Sequence, residues 1–94
     1  MHITIRQLQV FEAVARHLSY TRAAEELHLT QPAVSMQIKQ MESSIGLPMF
    51  EQIGKKIYLT QAGDAMLVHA RTIMRHLEAA AEEVGVDNAV AAAD

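Results

Sequence analysis

The chain has 94 residues, 50% of them hydrophobic and 20% charged, with a net charge of −3. That is the size of one small globular domain. Such a domain buries only ~60–65% of the surface its unfolded form exposes, so a partner copy would help to stabilise it. There is no cysteine, which excludes disulfides and a zinc finger. No apolar run approaches the ~20 residues of a membrane span, and the N-terminus lacks the basic-then-apolar pattern of a secretory signal, so no membrane partner and a cytoplasmic location are expected.

The charge is unevenly spread. Residues 1–60 carry six cations (Arg6, Arg16, Arg22, Lys39, Lys55, Lys56) against five acids (Glu12, Glu25, Glu26, Glu42, Glu51). Residues 61–94 carry two cations, Arg71 and Arg75, against six acids. A strongly basic protein is excluded, and charge alone does not point to nucleic acid.

Leu8, Phe11, Ala15 and Leu18 recur at helical spacing, with Val10 and Val14 widening the stripe, so a first helix is predicted over about residues 4–17 with Thr4 as its cap. Ser19 caps a shorter second helix whose buried face is Ala23, Ala24 and Leu27. His28-Leu29-Thr30 leaves room only for a turn. Thr30-Gln31-Pro32 then opens a third helix, with Pro32 in the first turn where its missing N–H costs nothing. Val34, Ile38, Met41 and Ile45 form its inward stripe, and Gly46 and Pro48 end it. Residues 50–53 and 56–59 read as a hairpin turning at Gly54-Lys55. Thr60 caps a fourth helix that runs to about residue 86. The expected fold is mostly α with a small β-hairpin: a winged helix-turn-helix over 1–60, a long linker or dimerisation helix over 61–86, and at 87–94 the start of a linker to a further domain.

The outward side of the third helix, carrying Gln31, Ala33, Ser35, Met36, Lys39 and Gln40, is slim and free of acids. A helix entering the major groove needs such a side, since acids are repelled by phosphate and bulk blocks insertion. Gln31 can pair bidentately with an adenine edge. Ala33 and Met36 can meet thymine methyls. Ser35 and Lys39 suit phosphate. An ordinary solvated helix face fits the same pattern. Lys55 and Lys56 at the hairpin tip could reach the neighbouring minor groove or backbone, or serve only as a solubilising turn. Thr21 and Arg22 open the second helix, where a backbone contact or simple capping would account for them.

In the fourth helix Met66, Ala70, Ile73, Leu77, Ala80 and Val84 repeat at steps of four and three, an a/d seam. About 25 helical residues span ~37 Å, more than a domain this small can cover. A second copy is the simplest occupant of the remainder, and would present two recognition helices to an inverted repeat. The five histidines form no i, i+4 pair and have no cysteine partners, so no metal is expected. No phosphate-binding glycine loop or nucleophile–base set is present, no cofactor is called for, and an enzyme is not expected.

These residues resemble the N-terminal domain of LysR-type transcriptional regulators. The likeness rests on Arg6-Gln7-Leu8 through Phe11 to Ala15, on Ser19 to Ala24 with Leu27, and on Thr30 to Ser35 with Gln37-Ile38. It continues through Glu42, Gly46-Leu47-Pro48, Phe50-Glu51, Leu59-Thr60 and Ala62-Gly63. It implies a homodimer, tetrameric at full length, that binds an interrupted palindrome of promoter DNA at the bacterial nucleoid. It further implies base contacts from Gln31, Pro32, Ala33, Ser35 and Met36, and backbone or wing contacts from Thr21, Arg22, Thr30, Lys39, Gln52, Lys55 and Lys56. The implied dimer interface is Met66, His69, Ala70, Ile73, Leu77, Ala80 and Val84. Position 36 and position 52 are often arginine in the family, and here are Met36 and Gln52. Ser35-Met36-Gln37 and residues 50–58 look like the subgroup that controls Calvin-cycle (RuBisCO operon) genes. Members continue into a second domain that binds an effector metabolite, so the chain is expected to be a DNA-binding piece without that sensor. A different class, a winged helix kept only as a protein-interaction scaffold, is consistent with the near-neutral charge, although a protein-binding face would be broader and more apolar.

Overall fold

A computed structural model describes residues 1–85. It contains α1 (Ile5–His17), α2 (Tyr20–Leu27), α3 (Gln31–Ile45), β1 (Phe50–Ile53), β2 (Lys56–Leu59) and α4 (Gln61–Val84). The expected segment 87–94, and the last residue of the expected 61–86 helix, lie outside the described residues. Each helix begins at a hydroxyl cap. Thr4, Ser19, Thr30 and Thr60 accept from the backbone N–H of Gln7, Arg22, Ala33 and Gly63 respectively. At α1 the arrangement is reciprocal, because Gln7 Oε1 accepts from the Thr4 N–H at 3.1 Å. Gly46 and Gly85 end α3 and α4 in the left-handed conformation.

Helix α1 is the post around which the others pack, with α2, α3 and α4 all against it. Val10, Phe11 and Val14 have no exposed surface, and Val34, Ile38 and Met41 of α3 join them in the core. Ala23 and Ala24 let α2 come close, as their small size predicts. Leu18 departs from the expected stripe. It ends α1 at φ 49° and is 43% exposed, because the chain reverses there to start α2 within two residues.

The hairpin is antiparallel, pairing Phe50 with Leu59 and Ile53 with Lys56. Its root is buried and its tip is not. Phe50 packs 5.4 Å from Phe11 and 6.1 Å from Tyr20, ring centre to ring centre, while residues 51–56 are all exposed. Burial, and secondarily the Glu42 carboxylate, push the Tyr20 hydroxyl above its ordinary pKa, so it stays neutral. The chain leaving the hairpin is fixed by Thr60, whose hydroxyl donates to Pro48 O at 2.7 Å and whose N–H donates to Met49 O at 3.0 Å. Gly63 stands against that carbonyl so closely that a Cβ would collide with Met49 O and Leu59. Gly63→Ala is therefore expected to cost about 1–3 kcal/mol, the range for forcing extra bulk into a packed site, rather than the gain normal for Ala in a helix. Urea unfolding of the two chains checks this, and an unchanged or raised midpoint would contradict the close approach.

A second tie is electrostatic. Arg16 of α1 donates to Glu12 at 2.9 Å and to Glu26 of α2 at 2.6 Å. His17 Nε2 lies 2.7 Å from Glu26 Oε1, and Arg71 of α4 reaches Glu12 at 3.9 Å. Hydrogen bonds from Arg16 first, then His17, hold Glu26 down from 4.5 to about 2. The folded chain thus takes up this proton less readily than the unfolded one. The stabilisation is complete above about pH 4.5 and drains away as the pH falls towards 2. Both partners are exposed to solvent, so its size is about 1 kcal/mol or less. Glu26→Gln should make stability less steep in pH across that window, and urea midpoints measured at a series of pH values give the difference directly.

Candidate nucleic-acid interface

Because Val34, Ile38 and Met41 turn α3 inward, the opposite side of that helix is left to solvent. Gln31, Pro32, Ser35, Met36 and Lys39 line one open strip there, which continues through Gln40 to Ser43. No carboxylate is among them. Ala33 is half-buried at the margin rather than on the strip. Met36 is 53% exposed, unusual for an apolar side chain without a covering partner. Gln31 Nε2 donates to Ser35 Oγ at 2.8 Å, one helical turn on. That bond uses one amide hydrogen and leaves the second, with Oε1, for the donor–acceptor edge of a base.

Around this strip the remaining expected contacts fall into two groups. Thr21 and Arg22 are exposed in the first turn of α2, whose cap is Ser19, so neither side chain is needed for capping. Thr30 is engaged in its cap through its oxygen, accepting from the Ala33 N–H at 3.3 Å, and keeps its hydroxyl hydrogen. On the hairpin, Lys55 and Lys56 stand at the exposed tip, and Gln52 folds along it, its Nε2 donating to Gly54 O at 3.1 Å. Among the described residues Arg22, Lys39, Lys55 and Lys56 are in no ion pair. Of the five acids in this half, Glu12 and Glu26 are neutralised by Arg16, and Glu42 is occupied by backbone amides. The near-neutral count thus hides a surface on which Arg22, Lys39, Lys55 and Lys56 are in no ion pair while three of the five acids are engaged.

Helix α4 corrects part of the expected seam. Ala70 is fully buried in the chain's own core, so it is not available to a partner. It lies at the level where Arg71 of α4 meets Glu12 of α1, whereas Leu77, only about 20° from it round the helix, stands two turns further along. One apolar stripe is thus covered by the chain's own core towards its N-terminal end and left open further along. Met66 is half-buried against the same core. His69, Ile73, Ala80 and Val84 are exposed and Leu77 is half-buried, and these remain on the outward side. Ile73 is 42% exposed. With Met66, His69, Leu8 and the N-terminal Met1, Ile3 and Ile5 it lines an apolar groove of about 550 Å³. The alternation of Met1, Ile3 and Ile5 with polar residues was the signal in the sequence for that additional surface. No helix among the described residues is long and apolar enough to cross a membrane.

Comparison with known proteins agrees with this geometry. The family described as bacterial regulatory helix-turn-helix proteins, lysR family, matches residues 5–64. A "RuBisCO operon transcriptional regulator" of Allochromatium vinosum is 61% identical over 77 residues, 82% of this chain and 26% of that protein. The "HTH-type transcriptional regulator CbbR" of Rhodospirillum rubrum is 63% identical over 70 residues, 74% of this chain and 24% of that protein. The chain therefore spans about a quarter of the length of these relatives. A crystal structure of a CbnR_DBD–DNA complex superposes with a TM-score of 0.82 at 33% identity, over 87% of this chain and 94% of that one. With the four-helix and hairpin order, the exposed strip of α3 and these matches all in agreement, the chain belongs to the LysR family of bacterial regulatory helix-turn-helix proteins.

Proposed function

We propose that this chain is the sequence-specific DNA-binding part of a transcription regulator, acting as a homodimer on an interrupted palindrome upstream of carbon-fixation genes. The observation that carries the reading is the acid-free strip of α3, left open while the rest of the helix is committed to the core. The names of the relatives support the choice of genes. Gln31, Pro32 and Ser35 lie at the N-terminal end of the strip and take the base edges, with Ala33 at its margin and Met36 supplying an apolar contact for thymine methyls. Thr21, Arg22, Thr30 and Lys39 hold the phosphates that flank the groove. Gln52, Lys55 and Lys56 follow the backbone further along. The outward side of α4, Ile73, Leu77, Ala80 and Val84 with His69 and the edge of Met66, joins two copies. Their two α3 helices then meet two half-sites. Effector sensing belongs to the remainder of such regulators and is assigned to no residue here.

The test is binding to a RuBisCO-operon promoter duplex carrying the inverted repeat, against a scrambled duplex of equal length. Selective binding that falls steeply with salt is expected. Gln31→Ala should reduce affinity for the repeat by about 1–3 kcal/mol per half-site, the range for a bidentate base contact, while leaving binding to the scrambled duplex unchanged. Equal affinities for both duplexes would sink the reading. An interaction scaffold would show no effect of Gln31→Ala on anything measured.

Dimerisation is separately testable. Ile73→Asp places a charge in the apolar groove and should dissociate the dimer, lowering its sedimentation coefficient to that of a 10.4 kDa monomer. The strip of α3 is untouched by this change, so binding to a single half-site should survive. A dimer that sediments as before would show that α4 does not join the copies.

A further inference from the structure

Glu42 lies on α3 in the turn where the exposed strip ends, but is not among the residues that line it, and nothing in its spacing marks it for DNA. Its carboxylate instead faces the hairpin root. Glu42 Oε2 accepts from the Met49 N–H at 2.7 Å and, more weakly, from the Phe50 N–H at 3.4 Å. These two residues lead into β1, and both are buried. The carboxylate is thus the direct hydrogen-bonded link between the recognition helix and the strand that starts the wing. The other strand is fixed to α4 through Thr60 and Gly63.

The consequence is mechanical. Residues 51–56 are exposed while Met49 and Phe50 are buried, so the direction of the hairpin is set mainly at its root. Five residues at ~3.4 Å each make an arm of about 17 Å, and a tilt of about 10° at the root then moves the tip by about 3 Å. That displacement is the length of a hydrogen bond. It is enough to separate Lys55 and Lys56 from a phosphate that α3 has brought into register.

We propose that Glu42 is a positioning residue for DNA recognition: by holding the Met49 and Phe50 amides it fixes the angle between α3 and the wing, and so places Lys55 and Lys56 on the backbone while α3 occupies the groove. This rests on the DNA-binding reading above and adds to it a residue that touches no DNA. A charged acceptor suits the role, since hydrogen bonds to an ionised group are about twice as strong as neutral ones.

The sign of the effect separates this role from plain electrostatics. Glu42 is an acid in a protein that binds a polyanion, so removing its charge should by itself strengthen binding. Loss of positioning should weaken it. The experiment is a double-mutant cycle on the 94-residue chain, using Glu42→Ala and the pair Lys55→Ala/Lys56→Ala, read by fluorescence anisotropy on the RuBisCO-operon repeat duplex over a range of salt. Glu42→Ala is expected to lower affinity and to flatten the dependence of log K on log salt by up to about 1.8 per protomer, the two lysine contacts at ~0.9 each. Added to the lysine pair it should cause no further loss beyond about twofold, the scatter of independent effects. Relative affinities for base substitutions in the half-sites should be unchanged. Should Glu42→Ala not fold, Glu42→Gln carries the same cycle. It keeps an acceptor oxygen, and its smaller loss should again vanish in the lysine-free background.

Stronger binding by Glu42→Ala would overturn the proposal. So would a loss that adds in full to that of the lysine pair, or an unchanged salt dependence. A lysine pair whose removal leaves the salt dependence untouched also overturns it, since the wing then has no contact to aim. If the unsubstituted chain fails to distinguish the repeat from the scrambled duplex, the DNA-binding reading falls first and this one with it. That outcome is visible before any variant is made.

Discussion

Every element of this small domain depends on burial against one helix. Phe11, at the middle of α1, has no exposed surface and meets the ring of Phe50 from the hairpin root. Fully burying such a side chain is worth about 1.5–3 kcal/mol, and an aromatic pair about 0.5–1.5 kcal/mol beyond that. With so few residues no second core is possible, so α2, α3 and α4 must each give a face to α1 or its neighbours. That requirement decides what is left over. On α3 the inward side is taken by Val34, Ile38 and Met41, which frees Gln31 to Lys39 as a continuous strip. The proposed interface is the part of the helix that the core does not need.

The charge distribution follows the same logic. A net charge of −3 would keep a uniformly charged particle away from DNA. Here three of the five acids in residues 1–60 are used internally. Glu12 and Glu26 hold Arg16, and Glu42 holds two amides of the hairpin root. The cations that face solvent around α3 and the wing are Arg22, Lys39, Lys55 and Lys56, against the exposed acids Glu25 and Glu51. Counterion release depends on the cations that reach phosphate and not on the net charge of the chain. Half of the remaining eight acids are on α4, at Asp64, Glu78, Glu82 and Glu83, along the helix proposed to join two copies.

Much of this was legible from residue order because it is local. A hydroxyl cap, an apolar period and a terminal glycine act over three or four residues, so Thr30, Val34, Ile38 and Gly46 define α3 without reference to anything distant. The acid-free side of α3 is also local, and it could be read for the same reason. Features that depend on how one element meets another were not legible. Ala70 belongs to the apolar stripe of α4 by spacing, yet only packing against α1 shows which part of that stripe the core covers. Leu18 looks like another core residue until the reversal into α2 turns it outward. Glu42 is part of the family likeness, yet no local period gives its role. Its partners are backbone amides seven and eight residues away, and amides have no identity in a sequence.

That last case bears on how a fold with so little material would recognise two kinds of target at once, as proposed. Base edges and phosphates must be met in a fixed geometric relation, and the groups proposed to meet them sit on different elements, α3 and the β1–β2 hairpin. Hydrophobic contact is non-directional and roughly proportional to area, so the burial of Phe50 holds the hairpin to the domain without fixing its angle closely. Hydrogen bonds to the Met49 and Phe50 amides weaken steeply as their geometry departs from linear. The division of labour is then physical: the aromatic cluster supplies attachment, and Glu42 with Thr60 supplies direction. A hairpin attached in this way can carry different side chains beyond its root, such as Gln52 here, without disturbing the register in which α3 is proposed to enter the groove.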